Sequence, residues 1–215
     1  MNRSAPALDG YESGEDAHLR ATATALREAA TARTVVLVEG ISDQIAVDAT
    51  FASCGRDLGE EQVVVVPIGG AQAISDYVAR FVDASVGHRD PVDIVGLCDA
   101  AEATFFASAF EAHGLGDTFA VCRPDLEAEL ICAFEPDELE SIIKAQGELR
   151  SLRTMQKQAA WRGRAFDEQV HRWMRAKAVR SSRYASILVY EAGVERLPAP
   201  LHRLTELVLP PTVAR

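Results

Sequence analysis

The ten residues Thr34–Asp43, TVVLVEGISD, decide how the rest of the sequence is interpreted. The run before Glu39 is too short and too rich in valine for a helix, and Gly40 directly after it allows the tight turn by which a strand passes into a helix. Glu39 is therefore predicted at the carboxyl end of a buried strand. Asp43 is predicted in the first turn of the next helix, whose apolar residues recur at helical spacing.

The same alternation of strand and helix continues along the chain. After a leading helix at 17–31 and the strand that ends at Glu39, further strands are predicted at 63–67, 92–98 and 118–122. Strands that are joined by single helices pair in parallel through right-handed crossovers. The fold class is therefore α/β, with a Rossmann-like parallel sheet of about four strands and flanking helices.

Beyond Pro124 the sequence predicts helices only. No linker separates them from the sheet, so residues 17–134 are predicted to form the α/β domain and residues 135–215 a helical extension packed on it. Residues 1–16 have the composition of a disordered segment. The predicted C-terminal helices are 125–134, 136–146, 149–161, 165–177, 183–191 and 200–207.

Charge and composition limit the classes of function. The chain has 215 residues and a net charge of −10, which argues against a general binder of polyanions. Residues 150–183 nevertheless carry ten Lys or Arg and only two acids, a pattern typical either of a DNA contact or of a solvated helical face. No apolar leader or membrane-length apolar run is present, which favours a cytoplasmic protein without a membrane partner.

The four cysteines show no CxxC pairing. Each lies in or beside an apolar segment, so they are predicted to be small core residues in a reducing compartment rather than zinc ligands or disulfides. They are Cys54, Cys98, Cys122 and Cys132.

Pairs of acids follow three of the predicted strands. Because parallel strands end at one edge of a sheet, these carboxylates are expected to approach one another, and they would repel unless a divalent cation lay among them. Oxygen ligands without His or Cys select Mg²⁺ or Mn²⁺. The alternative is that each acid caps its own helix independently. The six predicted metal ligands are Glu39, Asp43, Asp99, Glu102, Asp125 and Glu127.

These motifs resemble a known family. VVLVEGISD resembles the opening motif of the Toprim domain, which is shared by topoisomerases, primases and the overcoming-lysogenization-defect (OLD) nucleases. VVPIGGAQAISDYVARF looks like the second strand of that domain and its glycine-rich turn, and CRPDLEAELI is similar to the D-x-E motif of OLD-type nucleases. The resemblance extends over residues 34–208 and implies a Toprim-like fold.

The resemblance implies a Mg²⁺- or Mn²⁺-dependent nuclease acting on DNA. Glu39, Asp99 and Lys177 would be its catalytic residues. The basic segment 150–183 would contact DNA through Arg175, Lys177, Arg180 and Arg183.

The sequence departs from the family at two points. Toprim domains carry D-x-D after the third strand, whereas Ala101 stands at the position of the second acid here and Glu102 follows it. OLD-type nucleases place an ATPase ahead of the Toprim module, but no G-x-x-x-x-G-K-[ST] loop is present, so any ATPase would be a separate chain. A homo-oligomer is also possible.

Two other functions remain open. One is a Toprim-like binding or regulatory module that has lost full catalysis and works with a separate ATPase. The other is a nucleotidyl transferase, although no basic, aromatic-rich template channel is evident.

Overall fold

The computed structural model describes residues 11, 14, 16–85 and 91–208. Most of the predicted disordered segment 1–16 therefore lies outside the described residues. Within the described ranges no helix combines the length and the apolar character needed to cross a membrane.

A four-stranded parallel sheet forms the centre of the fold. Its strands are β1 Thr34–Val38, β2 Val63–Pro67, β3 Asp93–Asp99 and β4 Phe119–Cys122, in the order β2-β1-β3-β4. The predicted fold class is confirmed. The chain leaves β1 toward β2 and then crosses to the other side to form β3, so the carboxyl ends of β1 and β3 border the point where the winding direction changes. Open α/β sheets place their ligand sites there.

Helices cover both faces of the sheet because β1 is apolar on both sides. Val35 and Leu37 face one core, whereas Val36 and Val38 face the other, and all four are fully buried. Helices α1 Ala17–Glu28, α3 Ile74–Ser85 and α4 Ala103–Ala112 contribute to the first core. Helix α2 Ile41–Ser53 and the C-terminal helices contribute to the second.

The C-terminal helices extend the second core rather than forming a separate one. Leu152, Val170, Trp173 and Tyr184 belong to the same buried cluster as Val36 of the sheet. These helices are α5 Leu126–Cys132, α6 Pro136–Ala145, α7 Leu149–Gln156, α8 Phe166–Arg175, α9 Ala178–Ala192 and α10 Ala199–Val208.

The structure corrects several sequence predictions. Helix α9 begins at Ala178 rather than at Arg183, and Arg180 and Ser181 are buried in its first turn. Helix α7 ends at Gln156, before the predicted end at residue 161, and α8 ends at Arg175. The placement of cysteines in the core is confirmed for Cys98 and Cys122 but is wrong for Cys132, which is exposed.

Candidate metal centre

Three carboxylates meet at the carboxyl ends of β1 and β3. The two strands are paired so that Val38 lies opposite Leu97, which brings Glu39 and Asp99 to adjacent strand ends. The chain then turns back over Ala100 and Ala101, with the amide of Glu102 donating to the carbonyl of Asp99 at 3.1 Å. This turn places Glu102 beside Asp99 immediately before α4 begins.

The three side chains lie close enough to share one ion. Each offers a carboxylate oxygen, and the oxygens of Glu39, Asp99 and Glu102 all lie within 4.8 Å of one another. All three residues are partly buried. Glu102 Oε2 is buried and has no hydrogen-bond partner in the described part of the chain, so a buried acceptor is left for a ligand. Glu102 therefore stands close to where the missing second acid of the D-x-D motif was expected.

Burial and mutual repulsion raise the pKa values of Asp99 and Glu39. The pKa of Asp99 rises to about 7, mainly because burial disfavours its charged form and then because Asp125 lies nearby. The pKa of Glu39 is also raised, first by burial and then by the charge of Glu102, against a lowering effect of Arg175. At neutral pH the three acids therefore lack compensating positive charge, and a bound cation would supply it.

The donor set fits a hard divalent cation. It contains only carboxylate oxygens, which suit Mg²⁺ and Mn²⁺ and are a poor match for Zn²⁺. The unpartnered Glu102 oxygen and the crowding of three acids are both relieved by a bound cation. The residues present are therefore consistent with the metal that the sequence predicts.

Asp43 lies at the edge of this group and also caps a helix. Its carboxylate Oδ2 accepts a hydrogen bond of 2.8 Å from the amide of Gly40 at the start of α2. The pKa of Asp43 is raised to about 8, mainly by burial and also by the charges of Asp99, Glu127 and Glu39, while the Gly40 hydrogen bond opposes the shift. Asp43 is thus in the electric field of the centre but outside the group of three.

Asp125 is neutralised by protein cations instead. It is 5% exposed, caps α5 through the amide of Ala128 at 2.9 Å, and accepts from His171 Nε2 at 2.8 Å and from Arg175 Nη1 at 2.5 Å. Burial alone would raise the pKa of Asp125, but the bonds from His171 and Ala128 and the charge of Arg175 lower it overall. Its predicted role as a metal ligand would require this ion pair to open.

The remaining predicted site residues are placed apart from the three carboxylates. Glu127 is half-buried and accepts a hydrogen bond from the Ser181 hydroxyl. Lys177 is exposed and precedes α9, and within the described residues no hydrogen bond or ion pair joins it to the acids.

Two of the predicted DNA contacts have structural partners. Arg180 is 7% exposed, its guanidinium carbon lies 4.1 Å from the ring centre of Trp173, and it donates to the Trp173 carbonyl at 2.7 Å. Arg183 is half-buried and donates to Gln146. Arg180 is therefore engaged inside the protein and Arg183 is half-buried, and the contacts of both with DNA stay predictions.

Sequence reasoning missed the role of His171. This residue and Arg175 are four residues apart on α8, so both side chains lie on the same helical face and reach Asp125. The spacing itself was the available signal, but it becomes informative only when α8 is known to pack on α5. The hydrogen bond to Asp125 is also the main reason that the pKa of His171 is raised.

The comparisons with known proteins agree with this geometry. Residues 31–87 match the family model described as the TOPRIM domain of overcoming-lysogenization-defect-protein-like sequences. No curated protein matches the chain. Residues 31–87 are therefore similar to the Toprim domain of OLD-like proteins.

Solved structures of OLD proteins share the fold. The C-terminal region of the Xanthomonas campestris pv. campestris OLD protein superposes with a TM-score of 0.60 at 17% identity, covering 84% of this chain and 94% of that one. The C-terminal region of the Burkholderia pseudomallei OLD protein superposes with a TM-score of 0.56 at 16% identity, covering 82% and 96%. The likeness thus extends through the C-terminal helices and matches the Toprim module of OLD proteins.

The raised pKa values predict how stability depends on pH. An acid whose folded-state pKa exceeds its unfolded value binds more protons in the folded state, so the free energy of unfolding falls as pH rises. For Asp99 and Asp43 the window runs from about pH 4, near their usual pKa of 3.8, to about pH 8. His171, whose pKa is also raised, acts in the same direction at the upper end of the window.

We expect the melting temperature in EDTA to fall by about 5 °C between pH 5 and pH 7.5, and added Mn²⁺ to recover it mainly at the higher pH. Differential scanning calorimetry at both pH values measures this. Asp99→Asn should flatten the dependence. A melting temperature that rises with pH in EDTA would contradict the charge distribution described here.

Proposed function

We propose that this chain is a divalent-metal-dependent nuclease that hydrolyses phosphodiester bonds in DNA. The observation that carries the proposal is the group formed by Glu39, Asp99 and Glu102 at the switch point of an OLD-like Toprim fold. A hard cation bound there would polarise the scissile phosphate and lower the pKa of a bound water. The side chains of the protein would hold the cation, orient the phosphate, and accept and donate protons.

Glu39 has two possible roles in this scheme. It is the carboxylate at the end of β1, and a carboxylate in that position can accept a proton from an attacking water. It is also one of the three oxygen donors. Asp99 and Glu102 then act as ligands, with Asp99 oriented by the hydrogen bond of 3.1 Å that its Oδ1 accepts from the amide of Leu126.

Arg175 takes the role that the sequence predicts for Lys177. Its side chain is half exposed, so the guanidinium has donors free beyond the one that contacts Asp125. It is also near enough to the acids to lower the pKa of Glu39. A guanidinium binds phosphate with two donors at once, and a positive charge beside the reacting phosphate stabilises charge that develops in the transition state.

Burial reduces the number of residues in segment 150–183 that can contact DNA. Arg180 is buried and Arg183 is half-buried, so we assign the contact to the exposed Lys and Arg side chains. Such contacts to phosphates position a nucleic acid without reading its sequence. The exposed side chains are Arg150, Arg153, Lys157, Arg162, Arg164, Arg172, Arg175 and Lys177.

Relaxation of supercoiled plasmid tests the proposed function. Wild-type protein should nick the plasmid in Mn²⁺ or Mg²⁺, and EDTA should stop the reaction. Equal nicking with and without the chelator would exclude a metal-dependent reaction.

A metal-binding regulatory module is the second candidate. The pairing of Asp125 favours this candidate. Because the Asp125 carboxylate is paired with His171 and Arg175, among the described residues only the group of three acids is left to bind metal, which suits one ion rather than two. Such a module would bind Mn²⁺ without nicking plasmid, and its partner would be a separate ATPase chain or a second copy of this chain. Tight Mn²⁺ binding together with no cleavage of plasmid or single-stranded DNA would favour it.

A further inference from the structure

A cavity of about 700 Å³ opens beside the candidate metal centre. It lies between the first turn of α2 and the first turn of α9, and Glu127 and Arg175 form part of its wall. Its volume is within the range of roughly 300–1,000 Å³ that holds small-molecule ligands.

One side of the cavity is apolar and unusually exposed. Ile41 and Ile45 of α2, Val179 of α9 and Tyr11 are among the residues that line it. Val179 is 68% exposed, the highest value among the large exposed hydrophobic residues that the structure describes. A flat apolar group placed in the cavity would remove Val179 from water.

The other side is polar and positively charged at one point. Arg175 presents its half-exposed guanidinium, and the hydroxyl groups of Ser42 and Ser182 lie on the same wall. Glu127 is also in the wall, but its carboxylate accepts from the Ser181 hydroxyl. An anion would therefore be received on the side of Arg175, which is also the side nearest the metal centre.

We infer that this cavity binds one nucleotide, with its base between Ile41 and Val179 and its phosphate at Arg175. The inference rests on the proposed function and narrows its substrate class. A cavity of this size receives one nucleotide but not a base pair with its two backbones, so the nucleotide is either an unpaired residue of a DNA strand or a free mononucleotide. Base stacking on such a wall is largely independent of sequence.

Substitutions at Val179 test the inference without disturbing the core, since the side chain is mostly exposed. Val179→Asp replaces an apolar contact of the base with a charged carboxylate and should weaken binding of a short fluorescein-labelled oligothymidylate by about tenfold, whereas Val179→Tyr adds a stacking surface and should strengthen it by a similar factor. Val194→Asp, at another exposed valine, is the matched control and should leave binding unchanged.

Binding is measured by fluorescence anisotropy with Ca²⁺ in place of Mg²⁺ or Mn²⁺. A blunt hairpin duplex of the same length should bind more weakly than the single strand and respond little to either change at Val179. Thymidine monophosphate that competes as well as the strand would identify the free nucleotide as the ligand, and weak competition would identify the strand.

The inference and the proposed function fail separately. If Val179→Asp and Val179→Tyr bind the strand and the mononucleotide like wild type while plasmid is still nicked in Mn²⁺, the cavity is not a nucleotide site and the nuclease stands. If the Val179 variants shift binding as expected but no DNA is cleaved, the cavity stands and the nuclease fails.

Discussion

Replacing Glu39 with alanine is expected to lower the rate of Mn²⁺-dependent plasmid nicking by about 10³-fold. Glu39 lies at the end of β1, whereas Asp99 and Glu102 lie at and just after the end of β3. Its removal therefore eliminates one of the three ligands and also the candidate proton acceptor. A loss of about 4 kcal/mol of transition-state stabilisation corresponds to this factor and is in the range attributed to metal-based charge stabilisation.

The loss should occur without unfolding. Glu39 is only partly buried, and its removal relieves repulsion with Glu102, so the melting temperature in EDTA should stay the same or rise. Glu111→Ala, which removes an exposed acid at the far end of α4, is the matched control and should retain full activity. Nicking by Glu39→Ala at the rate of Glu111→Ala would remove Glu39 from the site.

Replacing Arg175 with alanine is expected to lower the nicking rate by about 10²-fold, whereas Lys177→Ala should change it less than about threefold. Arg175 forms an ion pair with Asp125 and is near enough to Glu39 to lower the pKa of the Glu39 carboxyl. Lys177, in contrast, is exposed and precedes α9. In other enzymes, removing one preorganised hydrogen-bond donor that stabilises transition-state charge lowers the rate by a factor of this size.

Arg175→Lys should recover part of the activity, because the charge returns without the planar pair of donors. Arg175→Ala also tests the ion pair, since Asp125 would then keep only His171 and the amide of Ala128 as partners. If Lys177→Ala were as damaging as Arg175→Ala, the assignment made from the sequence would be right and the one made from the structure wrong.

The fold was predictable because its signals are local. Runs such as Val63–Pro67 are uniformly apolar, and glycines or acids follow within a few residues, so the strands and their parallel pairing could be inferred from the sequence. The start of α9 could not, because a buried arginine is indistinguishable from a solvated one until its partner, Trp173, is known.

The candidate site was predictable only in part, for the same reason. That acids gather at the strand ends follows from parallel topology, and Glu39, Asp99 and Glu102 do gather. That Asp125 is neutralised depends on how α8 packs on α5, which brings His171 and Arg175 to it from about fifty residues further along the chain. Side chains that meet only through tertiary packing leave no pattern in a single sequence.

Titration of Mn²⁺ into metal-free protein by isothermal calorimetry tests the central claim, that Glu39, Asp99 and Glu102 together hold a divalent cation. The account predicts one tight site near neutral pH, weakened about tenfold or more by Glu102→Gln and left unchanged by Glu111→Gln. Absence of Mn²⁺ binding to the wild-type protein, or identical binding by Glu102→Gln, would contradict it.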